Sequence, residues 1–400
     1  MAAFFSFSKH WTPPSSFSPQ TQRNRRASPN VWLGTGGGGM VKIVIMKKTL
    51  LLFTLAAGSV FAAMPVEKTT THASTPIQLG VDEDHCLYPK EYGVHGLRLN
   101  GYFVDNRTMH GIDLGFWNVS ENASGLQVAL YRTETHHFGG IQLAGGSSET
   151  KNVGGFQYAT ILTDAEDVTG IQLTGLLGKA RGVGGIQIGG LSAVSESAEG
   201  NAQLTGLQAG LYEARAENIV GLQLGGVFSE ADLTAGGIQA GILFARARDL
   251  YGIQLGGLTA QTKTTHGIQL GGLLARSELS SDGLLQGALI LSEAGQMNSG
   301  LQLAGIAANV IGESDGLQIA GVSTLAGSLR GLQASLVWNY VFEHASGVQA
   351  SVLYNHAQSV HGVQIGLINH CSRLTGVQIG LFNTVQEARF STCPLLRVDF

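Results

Sequence analysis

Proline is scarce in this chain, 8 residues in 400, and its glycines do not fall at every third position. A collagen triple helix is thereby excluded, although the 57 glycines are about double ordinary usage. Charge is thin too. Asp, Glu, Lys and Arg make up 13% of the residues, with a net charge of −4 and no basic stripe, so no nucleic-acid partner is indicated. A hydrophobic content of 44% speaks against a disordered chain. Cys86, Cys371 and Cys393 form an odd set without a CxxC, so neither a disulfide framework nor a zinc knuckle is indicated. Whether Cys371 and Cys393 pair, or remain unpaired thiols, stays open. Catalytic signatures are missing as well. There is no G-x-S-x-G elbow and no HExxH, and Gly36–Gly39 lacks the Lys-Ser/Thr ending of a phosphate loop.

What is present begins with a leader. Met46-Lys-Lys-Thr precedes the apolar run from Leu50, which ends in Val60-Phe-Ala62. A charged start, a short apolar core and a small-residue exit form a secretory signal peptide, too short for a transmembrane span. Residues 1–45 then read as an upstream over-extension, residues 46–62 as the signal peptide, and the mature chain starts near Ala63. The competing reading is an organellar transit peptide, since no acid precedes Glu67 and Ser and Arg are plentiful. No cysteine follows the apolar core closely, so a lipid anchor is not indicated.

A repeat occupies most of the chain beyond the leader. Counting from the glycine of Gly-(Ile/Leu/Val/Phe)-Gln and its variants, 19 units start at Gly96, Gly111, Gly125 and onward to Gly376. Intervals are 14 to 17 residues, except the 21 between Gly185 and Gly206. Glutamine stands two places after the glycine in 16 units, and Arg98, Asp113 and Leu285 replace it elsewhere. The chain divides accordingly into an N-terminal segment and cap (63–95), a glycine-rich repeat domain (96–383) and a C-terminal cap (384–400).

Within one unit, Ile186-Gln187-Ile188 alternates like a half-buried strand. A further apolar residue stands two places before the glycine, as in Val183, Leu250 and Val360. Three residues separate it from the next apolar position, so a straight strand would place the two on opposite faces. A bend at the glycine is expected. Two all-β architectures accommodate such units. In a repeat β-solenoid of about 19 coils of about 15 residues, coils stack roughly 4.8 Å apart. In a transmembrane antiparallel β-barrel, each unit is one strand and a turn. The intervals do not alternate short and long, and aromatics, 7% of the chain, do not recur unit after unit. The solenoid is favoured and the barrel is the alternative. In the solenoid reading Ile253, Leu255, Ile268 and Leu270 point into a shared core. The glutamines form either a hydrogen-bonded column or the outward side of an alternating strand, and Arg98 and Asp113 are placed to pair on neighbouring coils.

The stretches Val94-His-Gly-Leu-Arg-Leu-Asn100, His110-Gly-Ile-Asp-Leu-Gly-Phe-Trp-Asn118, the Gly-Leu-Gln units, Gly376-Val-Gln-Ile-Gly-Leu-Phe-Asn383 and Cys393-Pro-Leu-Leu carry a resemblance. Over residues 76–400 the chain resembles a bacterial surface-repeat family known from leptospires and other bacteria. Similar Gly-Val-Gln arrays occur in envelope proteins of Bacteroidetes. The Asn that closes many family units is mostly absent between Gly125 and Gly316. The resemblance implies an exported or surface location and assigns no enzymatic activity.

Candidate chemistry is sparse. His136 and His137 beside Glu134, the run Asp164–Asp167, and Asp82–Asp84 read as solvated charge rather than metal or calcium sites, which need converging ligands. The sequons at Asn106, Asn118 and Asn122 matter only in a eukaryotic secretory setting. A carbohydrate-active β-helix needs paired carboxylates in a cleft, and no unit has a distinctive pair. No catalytic, cofactor-binding or metal-binding residue is assigned and no cofactor is implied. The expectation is an exported, non-enzymatic surface or envelope repeat protein, structural or adhesive, whose partner is an unknown surface ligand or envelope component. An outer-membrane barrel acting as pore or anchor is the alternative.

Overall fold

Regular glycine spacing becomes regular coiling. The computed structural model describes residues 73–197 and 202–399, so the leader and its boundaries at 45 and 62 lie outside the described residues. The repeat domain is a β-solenoid whose 24 strands form one continuous sheet, each pairing with its counterpart one coil away. Pairing is parallel and in register: Ile253, Gln254, Leu255 and Gly256 match Ile268, Gln269, Leu270 and Gly271. Among the described residues, antiparallel pairing occurs where Thr392–Asp399 folds back on the last coil and at a single bridge between Gly80 and Cys86. The barrel alternative is therefore corrected. Neighbouring strands run the same way because the chain returns after a whole coil, not after a hairpin.

The repeat glycines make the corners. Fourteen of them adopt positive φ, from 100° at Gly300 to 154° at Gly96, which side chains resist. Close stacking forbids a side chain independently of φ. A Cβ on Gly267 would lie 2.0 Å from the carbonyl oxygen of Gly252, and one on Gly376 2.0 Å from that of Gly362.

The faces of the strand after the corner are the reverse of those expected. In the coil from Gly252, the residues turned inward and buried are Gln254, Gly256, Ala260, Thr262 and Thr265. Ile253 and Leu255 face outward, and Leu255 and Leu270 keep 38% and 37% exposure. Ile253, Leu255, Ile268 and Leu270 thus do not share a core. The odd step before the strand was the clue. Leu250 is buried, so an apolar residue three places later lies on the opposite side, whereas Gln254, an even step away, lies inside.

Buried glutamine is tolerated because its polar atoms find partners. Gln269 Nε2 donates to Gln254 Oε1 at 3.0 Å and to the Arg276 carbonyl across its own coil at 3.1 Å. Its Oε1 accepts from Gln286 at 3.0 Å. The pattern runs unbroken from Gln127 to Gln378, each amide donating toward the preceding coil. Glutamine is long enough to cross the coil, and it can donate twice and accept. The apparent exception at Leu285 disappears: one extra residue places Gln286 in the column, and Leu285 pairs with Ile268.

The column ends in charge. Gln127 donates to Asp113 Oδ2 at 2.9 Å, and Arg98 grips that carboxylate at 2.7 and 2.6 Å, both side chains fully buried. An acceptor-only carboxylate suits a ladder whose N–H groups all point its way, and Arg98 neutralises it. A second ladder, Asn339, Asn355, Asn369 and Asn383 at 2.8 Å per step, runs in the opposite sense.

One coil escaped the glycine count. Ser74–Gly80 pairs in parallel with the Gly96 coil, aligning Ile77, Gln78 and Leu79 with Leu97, Arg98 and Leu99. Pro76 stands where later coils have glycine. At the other end, the antiparallel strand Thr392–Asp399 covers the edge that a further coil would otherwise pair with.

Candidate binding face

The described coils have sharply different sides. In each of the 19 glycine-led units, the six residues after the corner contain no charged side chain except Arg98 and Asp113, which are buried against each other. The strand and its adjoining turn therefore present a continuous uncharged face. Ridges of Ile, Leu and Val flank a trough whose floor is largely glycine. Over the coils from Gly185 to Gly272 the trough encloses about 820 Å³, lined by Ile188, Leu224, Leu255, Leu270 and the glycines beside them. A second hollow of about 420 Å³ lies on the same columns along Leu303, Ile319 and Leu336. Backbone groups at its turn are satisfied from coil to coil: Gly257 N donates to Gly241 O at 3.0 Å and Leu258 N to Leu243 O at 2.8 Å. Aromatic rings stack along one rim, as Phe228 on Phe244 with centroids 5.1 Å apart.

Charges occupy the remaining sides, largely as ion pairs between successive coils. Arg181 meets Asp167 at 3.0 Å, Arg215 meets Asp232 at 3.1 Å and Arg330 meets Asp315 at 2.7 Å. Such exposed pairs add little stability.

Residues singled out for chemistry fall on these charged sides. His136 and His137 are exposed, and His137 Nδ1 lies 2.9 Å from the Asn152 amide. Glu134, Glu149 and Asp164 occupy successive coils along a shallow polar groove of about 310 Å³. Arg132 bridges Glu134 and Glu149 at 2.7 and 2.5 Å, while burial and then Glu149 push the Asp164 carboxyl above its ordinary range. Glu166 and Asp167 both lie near Arg181, and Asp82 pairs with His85 at 2.7 Å. Among the described residues, no three metal-ligating side chains converge. Asn106 and Asn118 are buried, and of the three sequons only Asn122 is exposed. The cysteines are free; burial pushes the Cys371 thiol up to about 12.

No family model, curated protein or solved structure matches the chain. The uncharged face was missed by reasoning from candidate catalytic residues, yet its signal is in the sequence. It is the absence of charge at six fixed positions after each corner glycine.

Proposed function

We propose that the chain is an exported, non-enzymatic envelope or surface protein in which the solenoid serves as a rigid spacer and its uncharged face as a binding surface. The observation that carries this reading is that face, maintained through 19 units while every outward charge is kept on the other sides. Large exposed apolar surfaces on a folded domain mark contact sites, because solvent exposure of such area is otherwise unfavourable. The Met46–Ala62 leader supports the address, as does the resemblance to a surface-repeat family.

Expression in a bacterial host, with N-terminal sequencing and protease treatment of intact cells, tests the address. A mature end near Ala63 and cleavage on intact cells are expected. Cytosolic retention with the leader intact overturns the proposal.

A further inference from the structure

Two outward columns border the trough, three and five places after each corner glycine. Their residue sizes are coupled. Where the first is Leu or Ile the second is glycine in nine of twelve coils, as in Leu224/Gly226, Leu255/Gly257 and Leu270/Gly272. Where the first is alanine the second is large, as in Ala209/Leu211, Ala240/Ile242 and Ala334/Leu336. Aligned by strand register, the extra-residue coil obeys the same rule with Gly287/Leu289. Fourteen of the 19 coils carry one large and one small residue, and in none are both small. Four of the five exceptions are the coils of Gly111, Gly125, Gly362 and Gly376, toward the two ends.

Solvent imposes no such rule. Leu211 and Ile242 stand 77% and 70% exposed, so no packing within the solenoid demands their bulk, whereas the second-column glycines are set by coil stacking: a Cβ on Gly257 would lie 1.8 Å from the Ile242 carbonyl oxygen. A surface of constant combined volume is expected where it packs against something rigid at fixed distance. We infer that the uncharged face pairs with the same face of a second copy, the two rods running parallel about a two-fold axis lying along the trough. That operation exchanges the two columns and sets each coil opposite its own number. Leu224 of one copy then falls on Gly226 of the other, and Leu211 falls on Ala209. Each coil is complementary to itself because it holds one large and one small residue. An antiparallel two-fold keeps each column opposite itself and loses this match.

The area suffices. Fourteen coils from Gly140 to Gly347, at about 4.8 Å each and roughly 15–20 Å wide, offer on the order of 1,000–1,300 Å² per copy, within the range of stable homodimers. No charge is brought against its like. A lipid surface fits less well, because the arginines that border the face, Arg132 and Arg330, are already paired with carboxylates and the chain is net acidic. The inference rests on reading this face as a binding surface; it does not depend on export.

Sedimentation equilibrium of the purified chain tests it, beside flotation with phosphatidylcholine vesicles. The wild type is expected to be a dimer at micromolar concentration. Ala209→Leu with Ala240→Leu puts two large residues in each of two coils and is expected to weaken dimerisation roughly 100-fold. The exchange variant Ala209→Leu/Leu211→Ala keeps one large and one small residue and is expected to stay within about tenfold of wild type. Circular dichroism melts matching wild type confirm that the variants fold. A monomeric wild type overturns the pairing and leaves the proposed export standing. Overfilled variants that dimerise as well as wild type, or that float with vesicles more strongly, overturn it in favour of unspecific apolar or lipid contact.

Discussion

Replacing Gln269 by leucine removes a ladder rung without opening a large cavity, since the two side chains are similar in size. The loss is polar. Gln254 Oε1 loses its donor, one N–H of Gln286 loses its acceptor, and the Arg276 carbonyl loses a second partner. At about 1–3 kcal/mol for each buried orphan, Gln269→Leu is expected to cost about 3–5 kcal/mol. Leu270→Ser, one residue along but outward, is expected to cost about 1 kcal/mol, as its side chain is only partly buried. The double variant Gln254→Leu/Gln269→Leu is the sharper measurement. It orphans Gln239 Oε1 and the same Gln286 N–H, so two ladder groups are again unpaired, no more than in one single variant. Only the cross-coil carbonyl of Gln261 is added. The double is therefore expected to cost little more than either single, with a coupling of about 2 kcal/mol or more. Urea unfolding followed by circular dichroism reads all four chains. Additive singles, or Leu270→Ser costing more than Gln269→Leu, would refute the ladder.

Adjacent glycines should respond in opposite ways. Gly155→Ala places a methyl 2.3 Å from the Gly140 carbonyl at φ 137° and is expected to lose several kcal/mol, whereas at Gly154 the nearest atom is 3.6 Å away, so Gly154→Ala should stay within about 1 kcal/mol; thermal melts of the two variants decide. Burial and then His370 hold His356, stacked 4.3 Å from Tyr340, below its ordinary 6.5. Its contribution is thus full above the unfolded value, and stability falls as pH drops from 6.5 toward the folded value, because the unfolded chain binds the proton first. Urea midpoints at pH about 7.5 and about 5 should differ less in His356→Gln than in wild type.

The coil was legible because glycine is the only residue that fits both the corner conformation and the contact between corners, so its spacing prints the coil length into the sequence. The inner and outer faces were not. Alternation in Ile253-Gln254-Leu255 says that glutamine and the aliphatics lie on opposite sides, and ordinary hydrophobicity puts the aliphatics inside. Here a narrow coil lets most of the amides reach both the neighbouring coil and their own far wall, so glutamine is paired inside. The aliphatics stack on one another outside. The even step from Leu250 to Gln254 held the answer. The Arg98–Asp113 pair was readable because both replace glutamine in consecutive units. Pro76 hid a coil by replacing the glycine, and one inserted residue hid Gln286.

Coil length varies, yet the variation falls mainly on one side. Register shifts between adjacent coils lie at Ala247/Asp249, Thr262/Thr264, Ser277/Ser280, Ala294/Met297 and Val341/His344, all in the arm of the coil away from the glutamine strand, where the outward charges are carried. The six extra residues between Gly185 and Gly206 come in the sequence between Ser195 and Gln203, where pairing with the preceding coil stops and resumes. The strands after the corner, by contrast, pair without a shift from Leu222 through Gln239, Leu255 and Leu270 to Ala288. Even the insertion at Leu284–Leu285 leaves Gln286 in its column. A bulge within that strand would turn a glutamine outward and break the ladder on both sides of it. The ladder therefore forces insertions onto the charged sides, and in doing so holds the uncharged face in register along its length. A buried polar column thus sets the geometry of an exposed apolar one, because both belong to the same strand.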